Sequence, residues 1–158
     1  LKERDLDIKA GSQINKRMKY MDKVASAKGK VTVPGLVVEL MDAGTKFHIL
    51  HLTITGPGSF AAHKALNDLY DALPGHADDI AEGYQGATGE IPSYPADMPS
   101  YVCAPEMTTV KEAISYIEEL YSKICKLQDT ITYSEIINDL DTIKSTLNSA
   151  KYKLKFLS

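Results

Sequence analysis

Histidines and carboxylates concentrate in one stretch, His51 to Glu82, reading HLTITGPGSFAAHKALNDLYDALPGHADDIAE, which holds three of the four histidines. Asp78 and Glu82 are four apart there, as are His63 and Asn67, so each pair lies on one face of a helix within a turn. Imidazoles and carboxylates brought together suit a transition metal, iron first among them. Without further pattern such residues are more often ordinary surface and packing groups, so the spacing has to decide. His63 and Asp78 are separated by roughly 22 Å along a helix axis at 1.5 Å per residue, whereas ligands of one metal must lie within bonding reach of it. A single chain does not easily close one site from both pairs. Either they serve different purposes, or a twofold partner brings Asp78 and Glu82 of one subunit to His51 and His63 of the other, since such a contact is reciprocal.

The elements that must position these groups read as helices. Pro34 suits a first turn, and Leu36, Leu40, Ala43, Phe47, Leu50 and Ile54 recur at helical steps, with His51 beside the stripe. The segment GPGSF stops this helix, and Ser59 is expected to cap the next. That second helix carries Leu66, Leu69, Leu73, Ala77, Ile80 and Tyr84. Pro74 and Gly75 interrupt it, yet the period continues in phase, which favours one kinked helix over two, ended by Gly86 and Gly89. A proline-rich connector from Glu90 to Met107 is long enough to run the length of a bundle. Thr109 with Glu112 makes a capping-box signature, ahead of Val110, Ile114, Ile117, Tyr121, Ile124, Gln128 and Ile131. A break near Thr132 to Ser134 leads into Ile136, Leu140, Ile143, Leu147, Ala150, Leu154 and Leu157. Four amphipathic helices with short links at either side of one long central connection describe an all-α, ferritin-like four-helix bundle, with the long crossover between the second and third helices.

Composition fits this: 158 residues, 44% apolar and 25% charged, suffice for one globular domain. No apolar run approaches a membrane span, and the first residues lack a secretory core, so a cytoplasmic protein is expected. Two cysteines, Cys103 and Cys125, make disulfide and zinc frameworks weak. Charge is uneven: residues 1–30 hold nine Lys/Arg against four Asp/Glu, although the whole chain is −3. With Gly11, Ser12 and Gly29, and a short helix near Ile14 to Met21, they read as a flexible basic arm on a 31–158 bundle. Such an arm either touches a polyanion such as DNA or merely keeps the protein soluble.

The order His, eleven residues, His, fourteen, Asp, three, Glu, with a Gly-Pro turn after the first His, stands in this chain as HLTITGPGSFAAHKALNDLY and HADDIAEG. It resembles the Dps family, the ferritin-like proteins that protect DNA in starved cells, from about Pro34 onward and most specifically between His51 and Glu82. The resemblance implies oxidation of ferrous iron, usually with hydrogen peroxide, between twofold-related subunits, and storage of ferric mineral inside a hollow dodecamer associated with the nucleoid. His51 and His63 would then be ligands and catalytic residues of one subunit and Asp78 and Glu82 those of its partner, Glu82 bridging or holding the primary iron. Three positions depart from that family. Leu52 stands where it usually has Trp, Asn67 where it has an Asp ligand, and Pro74-Gly75 where its helix is regular; Asp68 points about 100° away from Asn67 and is no obvious replacement. The departures favour a rival, a structural or DNA-binding shell with a degenerate metal site. A second rival is a helical binding protein that is ferritin-like in pattern alone. His48, one turn before His51, and His76 are expected at the surface or core edge rather than as ligands, and Glu118, Glu119, Asp139 and Asp141 on solvated faces.

Overall fold

Thr32 opens the first helix: its extended backbone lets the hydroxyl accept the Gly35 N–H at 3.2 Å, while Pro34 occupies the first turn, where a missing N–H costs nothing. The computed structural model describes residues 31–95 and 107–158. They form four α-helices: α1 (Val33–Thr53), α2 (Ser59–Thr88), α3 (Val110–Gln128) and α4 (Ser134–Phe156). No strand occurs among the described residues, and no described helix is long and apolar enough to cross a membrane. The basic arm with its expected short helix, Cys103, and the middle of the connector lie outside the described residues.

The expected stripes of α1, α2 and α4 are the core except at their last members: Ile54 and Tyr84 are half-buried and Leu157 is 56% exposed. Leu36, Leu40, Phe47 and Leu50 from α1, Leu66, Leu69, Leu73 and Ile80 from α2, and Ile136, Leu140, Ile143 and Leu147 from α4 are all at most 1% exposed. The stripe expected for α3 is turned. Its buried residues are Ala113, Ile117, Leu120, Ile124 and Leu127, whereas Val110, Ile114, Tyr121 and Gln128 are half-buried on its flank. Both rows recur at three and four, and the narrower side chain of Ala113 rather than Ile114 faces the neighbours.

Helix α2 runs unbroken through Pro74 and through Gly86 to a left-handed Gly89 cap, so Gly86 does not end it. Ser59 does not cap it either. Gly58 holds the N-cap position at φ 77°, a left-handed backbone that glycine adopts without steric cost, and the Ser59 hydroxyl makes no cap bond.

Helices α1 and α2 pack antiparallel, with His51 against His63 and the buried Gly44 beside Leu73 and Pro74. Helix α2 meets α4 antiparallel through Asp68–Lys153 at 2.8 Å and His76–Thr146 at 2.9 Å. Helix α3 meets α4 the same way, Gln128 bonding Asp141 and Glu118 facing Lys151. Across from these, α1 meets α3 through Glu39–Lys123 at 2.6 Å and the Phe47 and Tyr116 rings at 5.6 Å.

The capping box of α3 is present in full. Glu112 Oε2 accepts the Thr108 and Thr109 N–H groups at 2.8 and 3.0 Å, and the Glu112 N–H returns a bond to the Thr109 hydroxyl. The Thr108 N–H first, then the Thr109 and Thr108 hydroxyls, hold the Glu112 carboxyl below its usual range. A carboxylate lowered in the folded state stabilises above its unfolded pKa and loses that contribution as pH falls through the folded value. The stability gap between wild type and Glu112→Gln should therefore narrow between about pH 6 and about pH 3 in urea unfolding, and a gap independent of pH would contradict it.

Candidate metal centre

The GPG turn folds α2 back on α1 so that the C-terminal end of one faces the N-terminal end of the other. Near its end α1 runs out of N–H partners for its carbonyls, and the His51 carbonyl is one of those left over. The His63 imidazole fills the gap: its Nδ1–H donates to the His51 carbonyl oxygen at 3.0 Å. In return the His51 Nδ1–H donates to the His63 carbonyl oxygen, also at 3.0 Å. The two rings stack between these bonds with centroids 3.7 Å apart and planes inclined by 24°.

This reciprocal brace settles the tautomers, because a carbonyl can only accept. Each Nδ1 carries its proton, so in the neutral ring each Nε2 bears the lone pair. Neither Nε2 bonds another described residue. Metal-binding imidazoles are usually oriented in this way, by donation of the second ring N–H to a carbonyl or carboxylate. His51 is 8% exposed and His63 open to solvent, so one ring is anchored and the pair is reachable.

Around the pair stand aromatic and apolar groups. Tyr70 lies edge-on to His51 at 5.0 Å between centroids and stacks on His48 at 4.0 Å. Its hydroxyl donates to Asn67 Oδ1 at 3.1 Å. Asn67 thus anchors Tyr70, and half of its acceptor capacity is already used. His48 is exposed, as expected, and its ring centroid lies 5.9 Å from that of His51. Leu52 and Phe60 flank the pair along the chain at 66% and 75% exposure.

Asp78 and Glu82 are not brought to the histidines within the chain. Both are exposed, in the second half of α2 beyond Pro74. Among the described residues no group of three or more His, Cys, Asp or Glu side chains is placed to hold a metal ion. His76, also expected off the site, bonds the Thr146 hydroxyl. Of the outlying acids, Glu118, Glu119 and Asp141 are exposed and paired with lysines. Asp139 is half-buried instead, and desolvation, then Asp79 and Glu135, raise its carboxyl.

One buried acid was missed by sequence reasoning. Asp42 is 4% exposed, its Oδ2 3.2 Å from Lys46 Nζ. Its signal lay in the adjacent stripe residue Ala43 and in the lysine four residues on.

An all-α four-helix bundle with two braced imidazoles at the turn of its first hairpin is the class these observations define. The chain belongs to the DUF5856 family, described as a family of unknown function, whose model matches residues 51–154, from the first of the two histidines to the last turn of α4. No curated protein and no solved structure matches it.

Proposed function

We propose that the chain is a Dps-like miniferritin subunit, which oxidises ferrous iron at sites shared by two twofold-related copies and stores the ferric product. The observation that carries this is the reciprocal brace, since it presents two Nε2 lone pairs side by side with their tautomers fixed. In a ferritin-like bundle the second and third helices run parallel, joined by one long connection. The antiparallel pairing of α1 with α2 and α3, and of α4 with α2 and α3, supports that connectivity.

His51 and His63 of one copy and Asp78 and Glu82 of the other would together supply two neutral and two anionic ligands. Carboxylates favour the ferric over the ferrous charge state, which drives the oxidation. Two ferrous ions give one electron each to hydrogen peroxide. The O–O bond breaks, and two protons from solvent complete two waters, so no hydroxyl radical is released. Both reactants that damage DNA are removed, whether or not the basic arm binds DNA. The exposed Leu52 and Phe60 beside the pair suit burial by a second copy, and a closed assembly, a dodecamer in this reading, encloses the mineral.

Ferrous iron mixed with peroxide should give a fast rise in ferric absorbance that Glu82→Ala abolishes. A rate unchanged by that substitution would sink the assignment. A second reading, a DNA-binding or structural shell without iron chemistry, is favoured by the engagement of Asn67 with Tyr70. An assembled shell that stays free of metal after purification with added iron would decide for it.

A further inference from the structure

Helix α1 has a second face besides its buried row. Met41, Thr45, His48, Ile49, Leu52 and Thr53 are its exposed residues, and none is a lysine, arginine, aspartate or glutamate. Every other helix exposes such groups, among them Lys64 and Asp71 on α2, Glu118 and Lys126 on α3, and Glu135 and Lys155 on α4. A helix in contact with water on one side normally carries charge there, whereas one that lacks it on both sides is a helix that becomes buried on both.

The polar groups of this face are ready for burial. The Thr45 hydroxyl donates to the Met41 carbonyl at 3.3 Å and the Thr53 hydroxyl to the Ile49 carbonyl at 3.0 Å, while the His48 ring stacks on Tyr70. Covering the two hydroxyls therefore leaves neither donor without an acceptor. Charge selects what covers them. Nucleic acid and an anionic membrane both call for lysine or arginine, which the exposed residues of α1 lack. Residues 1–30, with nine Lys/Arg, call for carboxylates, which it lacks as well. A second copy of the same face meets it without setting like charges against each other.

The order of residues selects the arrangement. Val38, Met41, Thr45, Ile49 and Leu52 follow at steps of three, four, four and three, so the row reads the same from either end. It is flush at one end, where Val38 is half-buried and Met41 37% exposed, and raised at the other, where Leu52 is 66% exposed. Antiparallel pairing sets the raised end of each copy on the flush end of the other and aligns the helix dipoles favourably. Parallel pairing would hold the flush ends apart.

We propose that α1 pairs with α1 of a second copy, antiparallel about a twofold axis at Thr45, so that Met41 meets Ile49 and Val38 meets Leu52. The seam needs no metal and shares with the iron reading only the second copy. In a full chain carrying Cys103→Ser and Cys125→Ser, Thr45→Cys is expected to cross-link to its own copy on mild oxidation, because packed helices bring facing residues within disulfide reach. Val38→Cys and Leu52→Cys should cross-link when mixed, and far less when each is oxidised alone. Ser149→Cys, exposed on α4, controls for random collision. Thr45→Glu, at an exposed position, should keep its helical circular dichroism but associate about a hundredfold more weakly in sedimentation, since two carboxylates then meet on the axis. A wild-type chain that sediments as a monomer, cross-linking at Thr45→Cys no faster than at Ser149→Cys, or unaltered association of Thr45→Glu would overturn the proposal. So would Val38→Cys and Leu52→Cys each cross-linking best to itself. The expected pattern in a chain that oxidises no iron would support the seam while removing the iron reading.

Discussion

Two inactive variants, co-assembled, are expected to recover about a quarter of the wild-type rate of iron oxidation. One carries His51→Ala with His63→Ala, the other Asp78→Ala with Glu82→Ala. Each alone should be dead, because every site lacks one of its halves. When equal amounts are unfolded together and reassembled at random, half of the twofold pairs are mixed. In a mixed pair one site joins both damaged halves and the other joins both intact halves, so one site in four works. A site formed within one chain would give nothing in any mixture, since each chain would spoil its own. The experiment therefore separates shared sites from private ones without a structure of the assembly. Mixtures no more active than either parent, in the presence of an active wild type, would refute the shared site.

Phe47→Ala should remove about 3–5 kcal/mol of stability. The ring is fully buried, packs 5.6 Å from that of Tyr116 and lies one turn before His51. Truncation leaves a cavity that two rigid helices close only in part. Against a total of about 5–15 kcal/mol for an ordinary domain, that is a large share. Urea unfolding followed by circular dichroism should register a much lower midpoint. A loss below about 1 kcal/mol would mean that the α1–α3 seam relaxes around the gap.

Helix positions were legible in the sequence wherever one unbroken row of apolar residues was available, as in α1, α2 and α4. In α3 two rows compete, and the row of larger side chains through Ile114 and Tyr121 was the more conspicuous. Packing chose the row through Ala113 and Leu120, because a helix wedged between two neighbours approaches them most closely along its smaller residues. The Gly58 cap was hidden by the adjacent Ser59: a hydroxyl is a common cap, but the tight turn needed a left-handed residue at that point. At the site, spacing indicated that His63 and Asp78 stand too far apart along α2 to share one metal within a chain, and the Dps resemblance implied His51 and His63 as ligands of one subunit. The brace itself was not legible, since it uses backbone carbonyls, and these have no letter in a sequence. Asp42 escaped notice for a related reason: a carboxylate one position off an apolar stripe looks solvated until the neighbouring helix covers it.

The same brace makes the imidazole pair portable. Its four bonding groups, two ring N–H and two carbonyls, come from the two histidines alone. Among the described residues no other side chain adds a hydrogen bond to it. A designed helical hairpin with the same turn and two histidines at the facing positions would inherit both fixed tautomers at once, giving engineers a two-nitrogen ligand set that needs no supporting network.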